Sequence, residues 1–168
     1  MNKELKNWNY GDGEFCYGEE VVYQKAAAFL GDSCEDWGCG TAWAKRYFKN
    51  YRGIDGSKSL YMDEIADLRN YTSKADNILL RQVLDCSEDW RMILENAKHS
   101  FQKKLCITIH TPLQEKTGVI FVDPVSGIPD VGFNMDDILD YFKDCKVSTE
   151  MVMTKFEYGT EILIYIEK

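Results

Sequence analysis

A glycine-rich turn, Gly38-Cys39-Gly40, constrains this chain more than any other feature. The residues before it, Cys34 to Trp37, predict a short strand. Those after it, Thr41 to Asn50, predict a helix with Trp43/Tyr47 and Ala44/Phe48 paired at i, i+4. A strand that enters a helix through bare backbone lets a ligand approach the helix N-terminus. Tyr51 to Asp55 then predicts a second strand ending on a carboxylate. A carboxylate there can accept hydrogen bonds from two ribose hydroxyls, which points to an adenosine nucleotide or nucleoside. The plainer alternative is a tight turn with an N-capping acid.

The rest of the chain alternates helix and strand. Glu19 to Leu30 predicts a helix with Val22, Ala26, Phe29 and Leu30 on one face and Gly31 at its C-terminal stop. Lys58 to Asp63 is too short for a crossover helix and predicts an irregular link. Ile65 to Leu68 and Asn77 to Leu80 are strand candidates. Ser87 is placed to cap a helix carrying Trp90, Ile93, Leu94, Ala97 and Phe101, and Asn134 to cap another carrying Met135, Ile138, Leu139 and Phe142. Leu105 to Ile109 predicts a strand. Glu150 to Thr154 and Glu161 to Ile166, joined through Tyr158-Gly159, predict a hairpin. The whole predicts an α/β fold: a doubly wound, mostly parallel sheet with helices on both faces and a C-terminal antiparallel hairpin. A single domain, residues 1–168, accommodates it, with 1–31 as N-terminal arm and helix.

Composition narrows the function. A net charge of −8 opposes non-specific nucleic-acid binding, which needs a cationic surface. Lys45, Arg46, Lys49 and Arg52 form one local basic patch, read as a solvated helix face. No apolar run approaches the roughly 20 residues of a membrane span. The N-terminus shows no signal-peptide pattern, so a cytoplasmic protein without membrane contact is expected. The six cysteines lack C-x-x-C spacing and have only His99 and His110 as partners, so no metal site is expected. No residue pattern specifies an oligomeric state.

Two adenosine cofactors compete for the turn. A dinucleotide fingerprint requires a small residue three positions after the second glycine, where this chain has Trp43. That indole favours a methyl donor over a nicotinamide dinucleotide. Cys34 to Ala42 resembles the first motif of class I S-adenosylmethionine (SAM)-dependent methyltransferases, and Asp55 matches that family's acid on the second strand. Asp76 to Asp85 resembles its fourth strand and following turn. The resemblance implies that Asp36, Gly38, Cys39 and Gly40 surround the methionine half of SAM, while Asp55 holds the ribose. It also implies Asp67 beside the adenine, Arg81 and Gln82 where cofactor and substrate meet, and S-adenosylhomocysteine (SAH) as product. There are departures. Ala42 replaces a third glycine, and Asp85-Cys86 stands where many relatives carry Glu-His, so no histidine there can act as base. The nearly absent helix between the second and third strands leaves the alignment of Asp67 open.

An activated methyl sulfonium needs alignment and exclusion of water, and a base only where the acceptor must lose a proton. His110, at the C-terminal end of the fifth strand, borders the ligand crevice and is the candidate catalytic residue; a hydrogen-bonded structural histidine is the alternative. Tyr10, Phe15 and Tyr17 could close over the cofactor, with Tyr17 reaching its carboxylate, or form a packed arm. Lys116 to Phe133 is long for a strand-to-helix link and is the candidate substrate flap. The expected function is methyl transfer from SAM to a small-molecule, glycan or metabolite acceptor. The alternatives are a non-catalytic SAM-binding partner subunit and a small NAD(P)-dependent reductase.

Overall fold

Apolar residues on both sides of a strand demand cover on both sides of the sheet, and β4 (Asn77–Arg81) shows how that demand is met. Ile78 and Leu80 pack into one core with Trp37, Trp90, Leu94 and Phe101. Leu79, between them, packs into the other with Val22, Ala26, Leu30 and Cys106. The computed structural model describes residues 16–58, 60–155 and 157–168. Its parallel strands are β1 (Ser33–Trp37), β2 (Asn50–Asp55), β3 (Glu64–Ile65), β4 and β5 (Lys104–Ile109). Two antiparallel strands, β8 (Lys146–Met153) and β9 (Thr160–Glu167), complete a seven-stranded sheet of order β3-β2-β1-β4-β5-β9-β8. Helix α1 (Glu20–Leu30) covers one face, and α2 (Trp90–Ser100) and α3 (Met135–Leu139) the other. The expected doubly wound sheet is present. Its order reverses between β1 and β4, which opens a crevice at the C-terminal ends of those strands.

Four local expectations are corrected. The helix expected over Thr41 to Asn50 is a single 3-10 turn, Trp43–Tyr47. Ala42 enters it in the left-handed region (φ 55°), Phe48 leaves it extended, and β2 begins at Asn50, so no length remains for an α-helix. The third strand is only Glu64–Ile65, and Asp67 lies beyond it in a turn. Ser87 does not cap α2; its hydroxyl accepts the N–H of Asp89, which opens the helix at Trp90. The last hairpin is longer than predicted, because β8 starts at Lys146. Asn134 does cap, accepting the N–H of Asp136 at 3.0 Å.

The candidate flap is a second, two-stranded sheet, β6 (Gly118–Val122) against β7 (Pro129–Gly132). Asp123 builds its turn by accepting from the Val125 N–H and the Ser126 hydroxyl. All five residues of β6 are exposed. Among the described residues, no helix is long and apolar enough to cross a membrane.

Candidate cofactor site

The turn after β1 is shaped by the strand beside it. The N–H groups of Gly38 and Cys39 both donate to the carbonyl of Ile54 on β2, at 2.7 and 3.1 Å. Gly38 (φ 75°) and Gly40 (φ 54°) occupy the left-handed region, where a side chain is strained. Space gives a second reason at Gly38: a Cβ there would lie 2.5 Å from Cγ2 of Val83. The chain therefore passes close enough to the end of β4 to leave bare backbone in the crevice. Asp55 locks this arrangement. Its Oδ2 accepts the N–H of Gly40 at 2.8 Å and its Oδ1 accepts the N–H of Ser57 at 2.7 Å.

One pocket at the switch point gathers most of the expected cofactor residues. Tyr17, Asp36, Gly38, Cys39, Gly40, Asp55, Asp67, Arg81 and Gln82 all line it. Leu68, Val83 and Ile93 supply apolar wall that sequence reasoning missed, since they come from a turn, a loop and a helix far apart in the chain. His110 does not line this pocket, and the expected Tyr10 and Phe15 lie outside the described residues.

The charged groups divide into engaged and waiting. Asp36 is buried and accepts the Tyr51 hydroxyl at 2.7 Å. Burial raises its pKa to about 7, against the opposing pull of Tyr51 and Arg81, so a nearby cation would favour its ionised form. Arg81 is clasped by Tyr23, whose hydroxyl accepts from Nη1, and by Glu161 on β9, which accepts from Nη2 at 3.2 Å. Its Nε and the Nε2 of Gln82 are buried donors without a hydrogen-bond partner. Gln82 itself is held at φ 52°, in the left-handed region that non-glycine residues seldom adopt. Asp67 is more engaged than its expected role beside an adenine suggests: Arg69 binds both of its oxygens and holds its pKa below the usual carboxylate range. Tyr17 stands where burial and the Asp55 carboxylate keep its hydroxyl protonated. Burial also pushes the Cys39 thiol up, so the turn offers no thiolate nucleophile.

Three residues of the basic patch are engaged locally. Lys49 pairs with Asp32, Arg52 with Glu35 and Glu64, and Arg46 stacks on Trp43 with its guanidinium 3.8 Å from the ring centroid. His99 is exposed on α2. His110 is buried at the end of β5, where its ring Nδ1 lies 2.5 Å from Asp85 Oδ2. Asp85 follows β4 and is 25 residues away in sequence, and no spacing rule would have paired the two.

No family model matches the chain, and no curated protein matches it by sequence. Solved structures match it by shape. The 1,6-didemethyltoxoflavin-N1-methyltransferase of Burkholderia thailandensis, solved with 1,6-didemethyltoxoflavin and SAH, has a TM-score of 0.71 at 11% identity, covering 89% of this chain and 77% of that one. The magnesium protoporphyrin IX methyltransferase of Synechocystis PCC 6803, solved with SAM, has a TM-score of 0.65 at 14% identity, covering 100% and 98%. The cyclase SpnF scores 0.63 at 14% identity, covering 88% and 80%, so the shape alone does not dictate a reaction. What the likeness establishes is the fold, and it is the Rossmann-like fold of the class I SAM-dependent methyltransferases.

Proposed function

We propose that the protein binds SAM at the switch point and transfers its methyl group to a small-molecule, glycan or metabolite acceptor, releasing SAH. One observation carries this reading: a single pocket sets an acid and two unpartnered buried donors alongside the turn-bracing Asp55. The methionine end of SAM bears an ammonium and a carboxylate. Asp36 is placed for the first, and Arg81 Nε with Gln82 Nε2 for the second. Asp55 lines the same pocket and would take the ribose diol as hydrogen-bond acceptor. Leu68 and Ile93 offer apolar contact to the adenine, with Asp67 alongside. Bound SAM supplies an already electrophilic methyl carbon. The chain contributes orientation and exclusion of water, for which Tyr17 and the hairpin β6–β7 are the available covers.

Calorimetry with SAH, SAM and NADH tests the reading. Micromolar binding of SAH and SAM, with no heat from NADH, supports it. NADH binding without SAM binding rejects it in favour of a small NAD(P)-dependent reductase. The exposed apolar strand β6 favours a second reading, a non-catalytic SAM-binding subunit whose hairpin docks on a catalytic partner. Incubation with methyl-labelled SAM and fractionated extract separates the two: label in small molecules supports the enzyme, and SAH binding without transfer supports the subunit.

A further inference from the structure

We infer that Arg69, not Asp67, faces the base of the cofactor, so that the purine edge is read by a donor and its amino group is not recognised. The inference rests on the SAM-binding part of the reading above, and it holds whether or not the chain transfers the methyl group.

Asp67 has no capacity to spare. An ionised carboxylate offers about four lone-pair sites on its two oxygens. Oδ1 accepts the backbone N–H of Arg69 at 3.0 Å and its Nε–H at 2.8 Å. Oδ2 accepts from Arg69 Nη2 at 2.5 Å, shares the Nε proton at 3.1 Å and takes Nδ2 of Asn70 at 3.4 Å. These bonds hold the pKa of Asp67 below the usual carboxylate range, so at neutral pH it has no proton to offer a ring nitrogen either. The neighbouring carbonyls are in use as well. That of Asp67 accepts the Asn70 N–H, and that of Leu68 accepts Nδ2 of Asn96, both at 2.9 Å.

Arg69 is the opposite case. A guanidinium carries five N–H donors. Nε and Nη2 each give one to Asp67, and Nη1 gives one to Asp89 at 3.1 Å. Two N–H groups, one on each terminal nitrogen, therefore remain without a hydrogen bond on a side chain that lines the pocket. The fork on Asp67 and the tie to Asp89 fix the planar guanidinium from two sides, so its spare donors are held in place.

The place suits a base. Asp67 and Arg69 follow β3 in the chain, and Asp89 directly precedes α2. The turn supplies Leu68 to the pocket and the helix supplies Ile93, the apolar pair assigned above to the adenine. Arg69 bridges these two elements, so it stands at the edge of a flat ring held between them. The ring nitrogens of a purine, or a 6-oxo group, accept from its N–H groups. An exocyclic amino group is itself a donor and gains nothing there.

Calorimetry with SAH and S-inosylhomocysteine, which differ only in the base, amino against oxo, reads this directly. Wild type should bind the two within about threefold of each other, because no acceptor rewards the amino group. Arg69→Met removes the donors and releases Asp67. That variant should prefer SAH by about tenfold or more, the worth of a hydrogen bond to a charged acceptor. Asp67→Asn should leave the wild-type ratio unchanged. Each ratio is taken on one protein, so a loss of stability or of folded fraction cancels from it. A wild type that prefers SAH by about tenfold or more, or an Arg69→Met variant that gains no preference, overturns the inference and leaves SAM binding standing. A wild type that binds neither compound removes the reading beneath it.

Discussion

The backbone N–H of Gly40 donates to Asp55 Oδ2 at 2.8 Å, so the acid at the end of β2 braces the glycine turn as well as facing the pocket. Substitution of Asp55 should therefore act twice. Asp55→Ala removes the acceptor for the Gly40 and Ser57 amides and a charge from the pocket lining. It should weaken SAH binding by on the order of 1–3 kcal/mol and lower the melting temperature as well. Asp55→Asn keeps one accepting oxygen, so it should melt closer to wild type while still losing affinity. Paired calorimetry and thermal melts check this; an Asn variant that binds SAH like wild type would remove Asp55 from the ligand site.

Gly38 answers to two independent constraints that a mutant cycle can separate. Gly38→Ala forces a side chain into the left-handed region, at roughly 1–2 kcal/mol, and drives its Cβ to 2.5 Å from Val83 Cγ2. Val83→Ala relieves the collision and leaves the strain. In urea titrations the double variant should be less destabilised than the sum of the singles, yet still less stable than Val83→Ala alone. Simple additivity would mean that the turn moves away from β4.

Asp36 sets a pH dependence with a definite sign. Burial raises its folded pKa to about 7 from the ordinary 3.8. Between those values the unfolded chain has released a proton that the folded chain retains, so this residue's contribution to stability falls as pH rises through that window. Asp36→Asn, which can still accept from Tyr51, abolishes the dependence. Its urea midpoint should exceed that of wild type at pH 8 and match it at pH 4, while SAH affinity drops. A variant less stable than wild type at pH 8 would contradict the raised pKa.

The glycine turn, the acid that ends β2 and the doubly wound class were legible because each rests on short-range rules: positive φ, a strand-end carboxylate, alternation of helix and strand. The helix expected over Thr41 to Asn50 failed for a local reason: Ala42 enters in the left-handed region, Phe48 is already extended and β2 begins at Asn50, which leaves too short a run for the i, i+4 pairs to build on. Ser87 resembled a cap because hydroxyls satisfy amides two residues on in turns and in helices alike. In sequence Asp85-Cys86 shows only the absence of a Glu-His pair, whereas the sheet brings a histidine to Asp85 from the end of the adjacent strand. That partnership, like the clasp of Glu161 on Arg81 across 80 residues, belongs to tertiary structure and leaves no spacing to read.

The hairpin β6–β7 offers the last prediction. Val119, Ile120, Phe121 and Val122 are all exposed, so the usual burial of alternate residues does not hold this strand in place. An isolated two-stranded sheet is marginal in water, and the attachments at its base must do the holding. These include Tyr158 to Asp130 at 2.6 Å, Thr111 to the Val131 carbonyl at 2.6 Å, and Thr117 accepting the N–H of Asn134. Asp130→Ala frees Tyr158 and should speed hydrogen exchange across residues 118–132 while leaving β1, β4 and β5 protected. If the hairpin is the acceptor cover, SAH affinity should stay within about twofold of wild type, a difference of less than 1 kcal/mol, as methyl transfer to the small-molecule fraction falls. Faster exchange in the hairpin with transfer unchanged would show that acceptors are bound elsewhere.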